Sequence, residues 1–247
     1  MEGNVLGLPL EYHELTEYFD VHNTSSKITK MNSFIESLLK KYGVQTVLDM
    51  TCGTGSQVFF LTNLGYKVAG SDFSPKLLNI ARQKAQTMDC DILFIDGDMR
   101  TLKVGEFDAV ITIFNAIGHL TKSDFEVAIR NIWDNLKVGG VYVFDIFNLS
   151  AMTDEVVHNL KMDYEFTVDG IQIHHKQYSE LDRKNGLLKS YDHYEIYETS
   201  GNVRCLDHSF TLQIYTVEEL RGMLKRNGFE VVHIYENLSI VMVARKH

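Results

Sequence analysis

Val47-Leu48-Asp49-Met50-Thr51-Cys52-Gly53-Thr54-Gly55-Ser56 decides the fold: a short apolar run ends in an acid and passes into a turn of small residues. The run before the acid reads as a buried strand, and the small residues after it let a ligand approach the backbone as a helix opens. A Gly-x-Gly pair alone is weak, because a dinucleotide-binding fold also turns on glycines after its first strand. Two details separate the cases: Val58 stands where the third glycine of G-x-G-x-x-G would fall, and Asp49 lies four residues before Gly53. An acid there is awkward beside a pyrophosphate and well suited to a cationic amino group.

Upstream, Ile28, Met31, Ile35, Leu38 and Leu39 recur at helical spacing and predict an amphipathic helix over 25–42, with a strand following over 45–50. Downstream, runs at 67–71, 92–95, 107–114 and 140–147 read as strands with helices between most of them, the rhythm of a doubly wound parallel sheet. Ser74 as N-cap and Pro75 at the first helical position start one of those helices. After Asn148 the pattern becomes alternating, near 164–168, 172–180, 188–198 and 204–215. Turn signals separate these segments: Asp169-Gly170, Asn185-Gly186 and Ser200-Gly201-Asn202, of which Asn-Gly is a strong hairpin marker. They predict an antiparallel insertion over the sheet. A helix opened by the capping box Thr216 and Glu219 and closed by Gly228, then strands near 230–235 and 239–245, return the chain to the core. The expected division is therefore 1–149 for lid helices and core, 150–215 for the insertion, and 216–247 for the return.

Two further acids end the next strands, Asp72 in Val68-Ala69-Gly70-Ser71-Asp72 and Asp98 in Asp96-Gly97-Asp98-Met99. Ligands of an open α/β sheet bind outside the carboxyl ends of its strands, so Asp49, Asp72 and Asp98 are expected in one crevice. Any one of them could merely cap the next helix; three together ask for a ligand rich in donors.

Composition narrows the classes. With 247 residues, 45% of them hydrophobic, the chain can bury one substantial core. No basic segment precedes an apolar run at the N-terminus, and no apolar stretch approaches the roughly 20 residues that span a bilayer, so a cytoplasmic protein without membrane contact is expected. Cys52, Cys90 and Cys205 are too few and scattered for a disulfide framework or a zinc pair. A net charge of −9 offers no electrostatic footprint for nucleic acid, which proteins grip by neutralising phosphates.

Asp-x-Thr-Cys-Gly-Thr-Gly, strand-end Asp72, Gly97-Asp98-Met99, Phe107-Asp108-Ala109-Val110 and Leu136-Lys137-Val138-Gly139-Gly140 together resemble the class I S-adenosylmethionine-dependent methyltransferases. The resemblance covers most of residues 11–147, and the return through 216–245 is similar too. It implies an α/β, Rossmann-like fold: a doubly wound, seven-stranded, mostly parallel sheet with an antiparallel insertion after strand five. It also implies S-adenosylmethionine as cofactor and S-adenosylhomocysteine as product. Asp49 and the turn from Gly53 to Gly55 would hold the methionine moiety, Asp72 the ribose hydroxyls, and Asp98 with the Met99 backbone the adenine, with Thr51 and Phe73 also in the cofactor-binding set. Thr51 departs from the Ala or Gly of many members, which would alter the turn slightly.

Ile113-Phe114-Asn115-Ala116-Ile117-Gly118-His119-Leu120 lies where the cofactor's sulfonium should meet the acceptor. Here the chain resembles small-molecule methyltransferases, the deoxyamino-sugar N-methyltransferases and more distantly the glycine N-methyltransferases. Phe114 and Asn115 join the cofactor set on that resemblance, and His119 is the candidate to orient the acceptor or take its proton, since a free imidazole titrates near neutrality. Its plain alternative is a capping or packing histidine. Tyr12 and Tyr18 resemble the tyrosine-bearing lid of the same relatives, with Tyr12 placed at the catalytic centre and Tyr18 at the cofactor; both could equally be core aromatics. Asp207, His208, His174, His175 and His193 show no spacing that fixes a coordination geometry, and no metal is expected.

The leading expectation is methyl transfer to a small-molecule amine. Alternatives are O-methylation, methylation of RNA or protein, and a non-catalytic S-adenosylmethionine-binding protein. With only Pro9 and Pro75 in the chain, no Asn-Pro-Pro-Tyr or Pro-Cys motif of nucleic-acid enzymes is present. A homodimer stays open.

Overall fold

Alternation along the central strands divides successive side chains between two faces of one sheet. The computed structural model describes residues 6–24 and 26–247. Short 3-10 helices at Leu10–Tyr12 and Thr16–Thr24 precede α1 (Ser26–Lys41), β1 (Thr46–Asp49), α2 (Ser56–Asn63), β2 (Lys67–Asp72), α3 (Pro75–Thr87), β3 (Leu93–Asp96) and β4 (Phe107–Thr112). Then come a 3-10 turn at Ala116–His119, α4 (Lys122–Asp134) and β5 (Leu136–Phe147). Val47, Ala109, Ile111, Val141 and Val143 face α1 through Ile35, Leu38 and Leu39. Their neighbours Leu48, Val110, Tyr142 and Phe144 face the opposite layer, where α4 contributes Phe125, Ala128, Ile129 and Ile132. This period of two, buried on both faces, is what a parallel sheet between helical layers requires.

Past β5 the chain runs through α5 (Asp154–Asn159) into β6 (Met162–Val168), β7 (Ile171–Asp182), β8 (Leu187–Tyr197) and β9 (Val203–Gln213). These four form an antiparallel sheet in simple meander order. Then α6 (Val217–Arg226), β10 (Phe229–Glu236) and β11 (Ser239–Lys246) return the chain to the main sheet, with both halves of the Thr216–Glu219 capping box formed. The main sheet has the order β10-β11-β5-β4-β1-β2-β3, and β11 runs antiparallel to both its neighbours. The order reverses between β1 and β4, and such a switch point opens a crevice at the carboxyl ends of the strands.

The expected fold is the one observed, with two local differences. Strand β4 ends at Thr112 rather than 114, because Phe114 and Asn115 take left-handed backbone angles (φ 63° and 58°) that a strand cannot hold. The tight hairpin turn is made by Asp169-Gly170, whose φ values of 50° and 81° suit a two-residue primed turn, whereas Asn185-Gly186 belongs to a wider loop. Among the described residues no helix is long and apolar enough to cross a membrane.

Candidate active site

A cavity opens at the carboxyl ends of β1, β2 and β4, and Asp49, Asp72 and Asp98 all line it. Each acid is set by its own turn. Asp49, ending β1, accepts from the Thr51 amide at 3.1 Å. Burial pushes its pKa up to about 7 against that bond, with the charge of Asp72 adding to the rise. Asp72, ending β2, accepts from the Gly53 amide at 2.8 Å and from the Ser74 amide at 2.9 Å. Burial again dominates and raises it to about 6. Ser74 caps α3, so one carboxylate ties the glycine turn to the next helix start. Asp98 differs: burial would raise it, but the Arg100 guanidinium grips both its oxygens, at 2.5 to 3.0 Å, and holds it below its ordinary value. Arg100 also reaches Asp124 at 3.3 Å.

The turn between β1 and α2 needs its glycines. Gly53 has φ 52° and Gly55 φ 88°, and a Cβ on Gly55 would lie 2.7 Å from the Phe59 ring. Thr51 and Gly53 line the cavity with Cys52, Thr54, Ser56 and Gln57, while Gly55 stands behind them as the N-cap of α2. Phe73, nearly half exposed, stands at the margin, and Met99 lines the cavity with its carbonyl held by Asn131 at 3.0 Å.

At the other end stand Ile113, Phe114, Ala116, His119 and Leu120. The left-handed pair Phe114–Asn115 is held by Asp145 on β5, whose Oδ1 accepts from the Phe114 amide at 2.5 Å. Asp145 is itself lifted to about 6 by burial, against its bonds to the Phe114 and Asn115 amides. His119 is buried, and desolvation drives it down to about 4 although a bond with the Gly7 backbone opposes this. Its Nδ1 has no hydrogen-bond partner among the described residues. The free-imidazole expectation is therefore corrected: His119 is neutral throughout the neutral range and a weak base.

The N-terminal segment closes the cavity with Leu8, Tyr12 and Phe19. The Tyr12 ring meets His119 at 5.2 Å and Phe19 at 5.5 Å between centroids. Burial, with Asp72 and Glu11 nearby, pushes the Tyr12 hydroxyl well above its ordinary pKa. The segment is tied to the core by Ser74 Oγ donating to the Tyr12 carbonyl (2.7 Å) and by Asp20, which accepts from Thr54 Oγ1 (2.5 Å) and Lys84 Nζ (2.6 Å). Its outer side is tied to the insertion by Tyr194 donating to Glu11 (2.6 Å) and His208 meeting the Leu8 carbonyl (2.7 Å).

Two expectations are corrected. Tyr18 does not line the cavity; it packs with Leu10 and Leu15 against Ile173, Tyr194 and Ile196 of the insertion, and Phe19 faces the cavity instead. Asn115 is not among the lining residues; its side-chain oxygen is buried in the wall. Sequence reasoning missed Phe19, Gln57 and Arg100. Gln57, a fully polar residue two positions past the glycine turn, carried a readable signal; Phe19 carried none beyond its neighbour's. Among the described residues no group of three or more His, Cys, Asp or Glu is placed to hold a metal ion.

The residues fit S-adenosylmethionine. Three acids that can accept from an ammonium, ribose hydroxyls and an amine line one cavity, and the glycine turn lets a ligand approach the backbone. Asp98 can receive an amine only by sharing its oxygens with Arg100.

Comparison with known proteins agrees with this geometry. A methyltransferase domain family matches residues 47–140. The YqeM protein of Bacillus subtilis is 26% identical over 89% of this chain and 87% of its own. Glycine N-methyltransferase of Homo sapiens is 29% identical over 56% of this chain and 54% of its own, so this chain spans about half of that relative. Among solved structures, S-adenosylmethionine-bound CalS10, an amino pentose methyltransferase from Micromonospora echinaspora, superposes with a TM-score of 0.75 at 19% identity, covering 95% of this chain and 98% of that one. The chain thus carries a methyltransferase domain over residues 47–140, set on the fold of the class I S-adenosylmethionine-dependent methyltransferases.

Proposed function

We propose that this enzyme methylates an amine nitrogen of a small molecule seated between His119 and the N-terminal lid. When bound, S-adenosylmethionine supplies a methyl carbon made electrophilic by the adjoining positive sulfur. Asp49 would receive its ammonium, Asp72 its ribose hydroxyls, and Asp98 with Met99 its adenine, while Tyr12, Phe19 and Phe114 give an aromatic wall suited to positive charge.

The observation that carries the choice of nitrogen is the state of His119. A neutral amine attacks with a lone pair it already has, whereas a hydroxyl must first lose most of its proton to a base. His119, lowered to about 4, is a poor acceptor of that proton but a good hydrogen-bond partner through its unsatisfied Nδ1. Asp49 and Asp72 are occupied by the cofactor in this reading. What remains for the protein is positioning, which contributes up to roughly 7–11 kcal/mol. Glycine N-methyltransferase, a relative named for methylation at nitrogen, supports the same choice. The net charge of −9 favours a small acceptor over RNA.

The insertion, residues 150–215, is proposed to shape the acceptor's surroundings. Phe210 of β9 lies 6.1 Å from the His119 ring, and Tyr194 and His208 hold the lid. A panel of small amines and their hydroxyl counterparts, scored by released S-adenosylhomocysteine and by the position of the methyl group in the product, tests the reading. N-methyl products are expected. Turnover of hydroxyl acceptors alone, or no turnover with tight cofactor binding, would contradict it.

A further inference from the structure

Charge in the cavity is gathered at one end. Among the described residues that line it, Asp49, Asp72, Asp98 and Arg100 are the charged ones, and all sit at or just past the carboxyl ends of β1, β2 and β3. The other end, past β4, is walled by Leu8, Ile113, Phe114, Ala116 and Leu120, with His119 among them. His119 is neutral there, because burial lowers it to about 4. Tyr12 stands edge-on to the His119 ring at 5.2 Å, and Phe210 of the insertion lies 6.1 Å from it. This is an apolar, aromatic seat beside a charged one.

The basic groups around that seat are already engaged. Arg100 is held by both oxygens of Asp98 and reaches Asp124 at 3.3 Å. Lys122, two residues past Leu120, donates to Glu219, and Lys84 donates to Asp20. Helix α4 opens just past Leu120, but its first turn is taken by the Thr121 cap and by Asp124. Behind the lid stand further acids: Glu11, buried against the Tyr194 hydroxyl, and Asp192, buried with His175. Residues 1–5 and 25 bring no Lys or Arg side chain.

A carboxylate or phosphate buried without a cation is heavily penalised, whereas apolar surface gains by the same burial. Three acids against Arg100 also leave the cavity negative, and the one net positive charge of bound S-adenosylmethionine does not reverse that. We infer that the acceptor is an amine whose remaining body is uncharged and mainly apolar, carrying no carboxylate or phosphate, and that this body lies against Leu8, Phe114 and Leu120. The inference rests on the reading of the site as one that methylates an amine nitrogen, and adds which amines it admits. Selection is by charge: an amine enters a negative cavity, and an anionic group on it meets an apolar wall with nothing to pair it.

The test is a set of matched acceptors, with kcat/KM measured from released S-adenosylhomocysteine and the product identified by mass. Benzylamine is compared with 4-(aminomethyl)benzoate, and 4-(aminomethyl)benzamide serves as the uncharged control of equal size; propylamine is compared with β-alanine. The uncharged member of each pair should be favoured by about 30-fold or more, and the benzamide should stay within about fivefold of benzylamine. Leu8→Lys, which sets an ammonium at the half-buried edge of the seat, should raise the benzoate relative to benzylamine by about 10-fold. Should that variant fail to fold, the parent panel decides by itself. Equal or better use of the carboxylated amines, no turnover of any uncharged amine in the panel, or an unchanged ratio in folded Leu8→Lys would overturn the assignment. The two readings fail differently: N-methylation of the carboxylated amines sinks the acceptor class and leaves the nitrogen reading, whereas methylation of benzyl alcohol and of no amine sinks the nitrogen reading and the class with it.

Discussion

Asp72 illustrates how one side chain serves both fold and ligand. Both its oxygens already accept from backbone amides, of Gly53 and Ser74, and each keeps lone-pair capacity for a ribose hydroxyl. Asp72→Ala should therefore weaken S-adenosylhomocysteine binding by about 1.5–3 kcal/mol and also lower the melting temperature of the free protein. Loss of stability with unchanged affinity would reduce Asp72 to a cap. His119 makes the opposite case, a residue near the acceptor rather than the cofactor. His119→Ala should lower turnover more than cofactor affinity, and the parent's pH–rate profile should lack a limb near the ordinary imidazole value, since burial has moved that titration to about 4. The acids and glycines of this site were legible because strand ends and positive-φ turns leave little freedom of residue type. Tyr18 and Phe19 were not: in a 3-10 helix of about three residues per turn, neighbouring aromatics divide between cavity and insertion according to a packing partner that lies far along the chain.

At the scale of elements, the lid is a short irregular segment suspended between two anchors. Its core side is fixed by Asp20 with Lys84 and Thr54, and its outer side by Glu11 with Tyr194. Glu11 is buried, so Tyr194→Phe should destabilise the free protein by about 1–3 kcal/mol and speed S-adenosylhomocysteine dissociation, measured by melting and by stopped-flow release. An unchanged off-rate would mean that the lid is held from the core alone. The main sheet was readable from its period of two and its capping signals, and so was the presence of an antiparallel insertion. The end of β4 was not, because Ile113-Phe114 reads as a continuing strand, and only Asp145, some thirty residues on, pins the left-handed turn that stops it. Asn185-Gly186 does mark a hairpin, β7 pairing antiparallel with β8, and the register leaves residues 183–186 between the strands as a loop wider than the dipeptide alone.

Across the whole molecule, three buried carboxylates, Asp49, Asp72 and Asp145, are held at about 7, 6 and 6. Their folded values lie above the unfolded ones, so between about pH 4 and 7 the folded chain retains protons that the unfolded chain releases. These groups therefore subtract stability as pH rises through that window. Asp108, lowered to about 2 by Lys137 and the Thr46 and Gln45 amides against the pull of burial, acts the other way and only below it. An ammonium beside Asp49 would favour the ionised carboxylate, so the rise in melting temperature given by S-adenosylhomocysteine should be larger at about pH 8 than at about pH 5, and Asp49→Asn should flatten that difference. Equal increments at both pH values would place the ammonium elsewhere. The central claim, that the cavity under the lid is an S-adenosylmethionine site, is tested most directly by calorimetric titration of the purified protein with S-adenosylhomocysteine and, separately, with NAD. One-to-one binding of S-adenosylhomocysteine in the micromolar range or tighter, with NAD far weaker, is the predicted result; no heat with S-adenosylhomocysteine, or NAD bound as strongly, would contradict it.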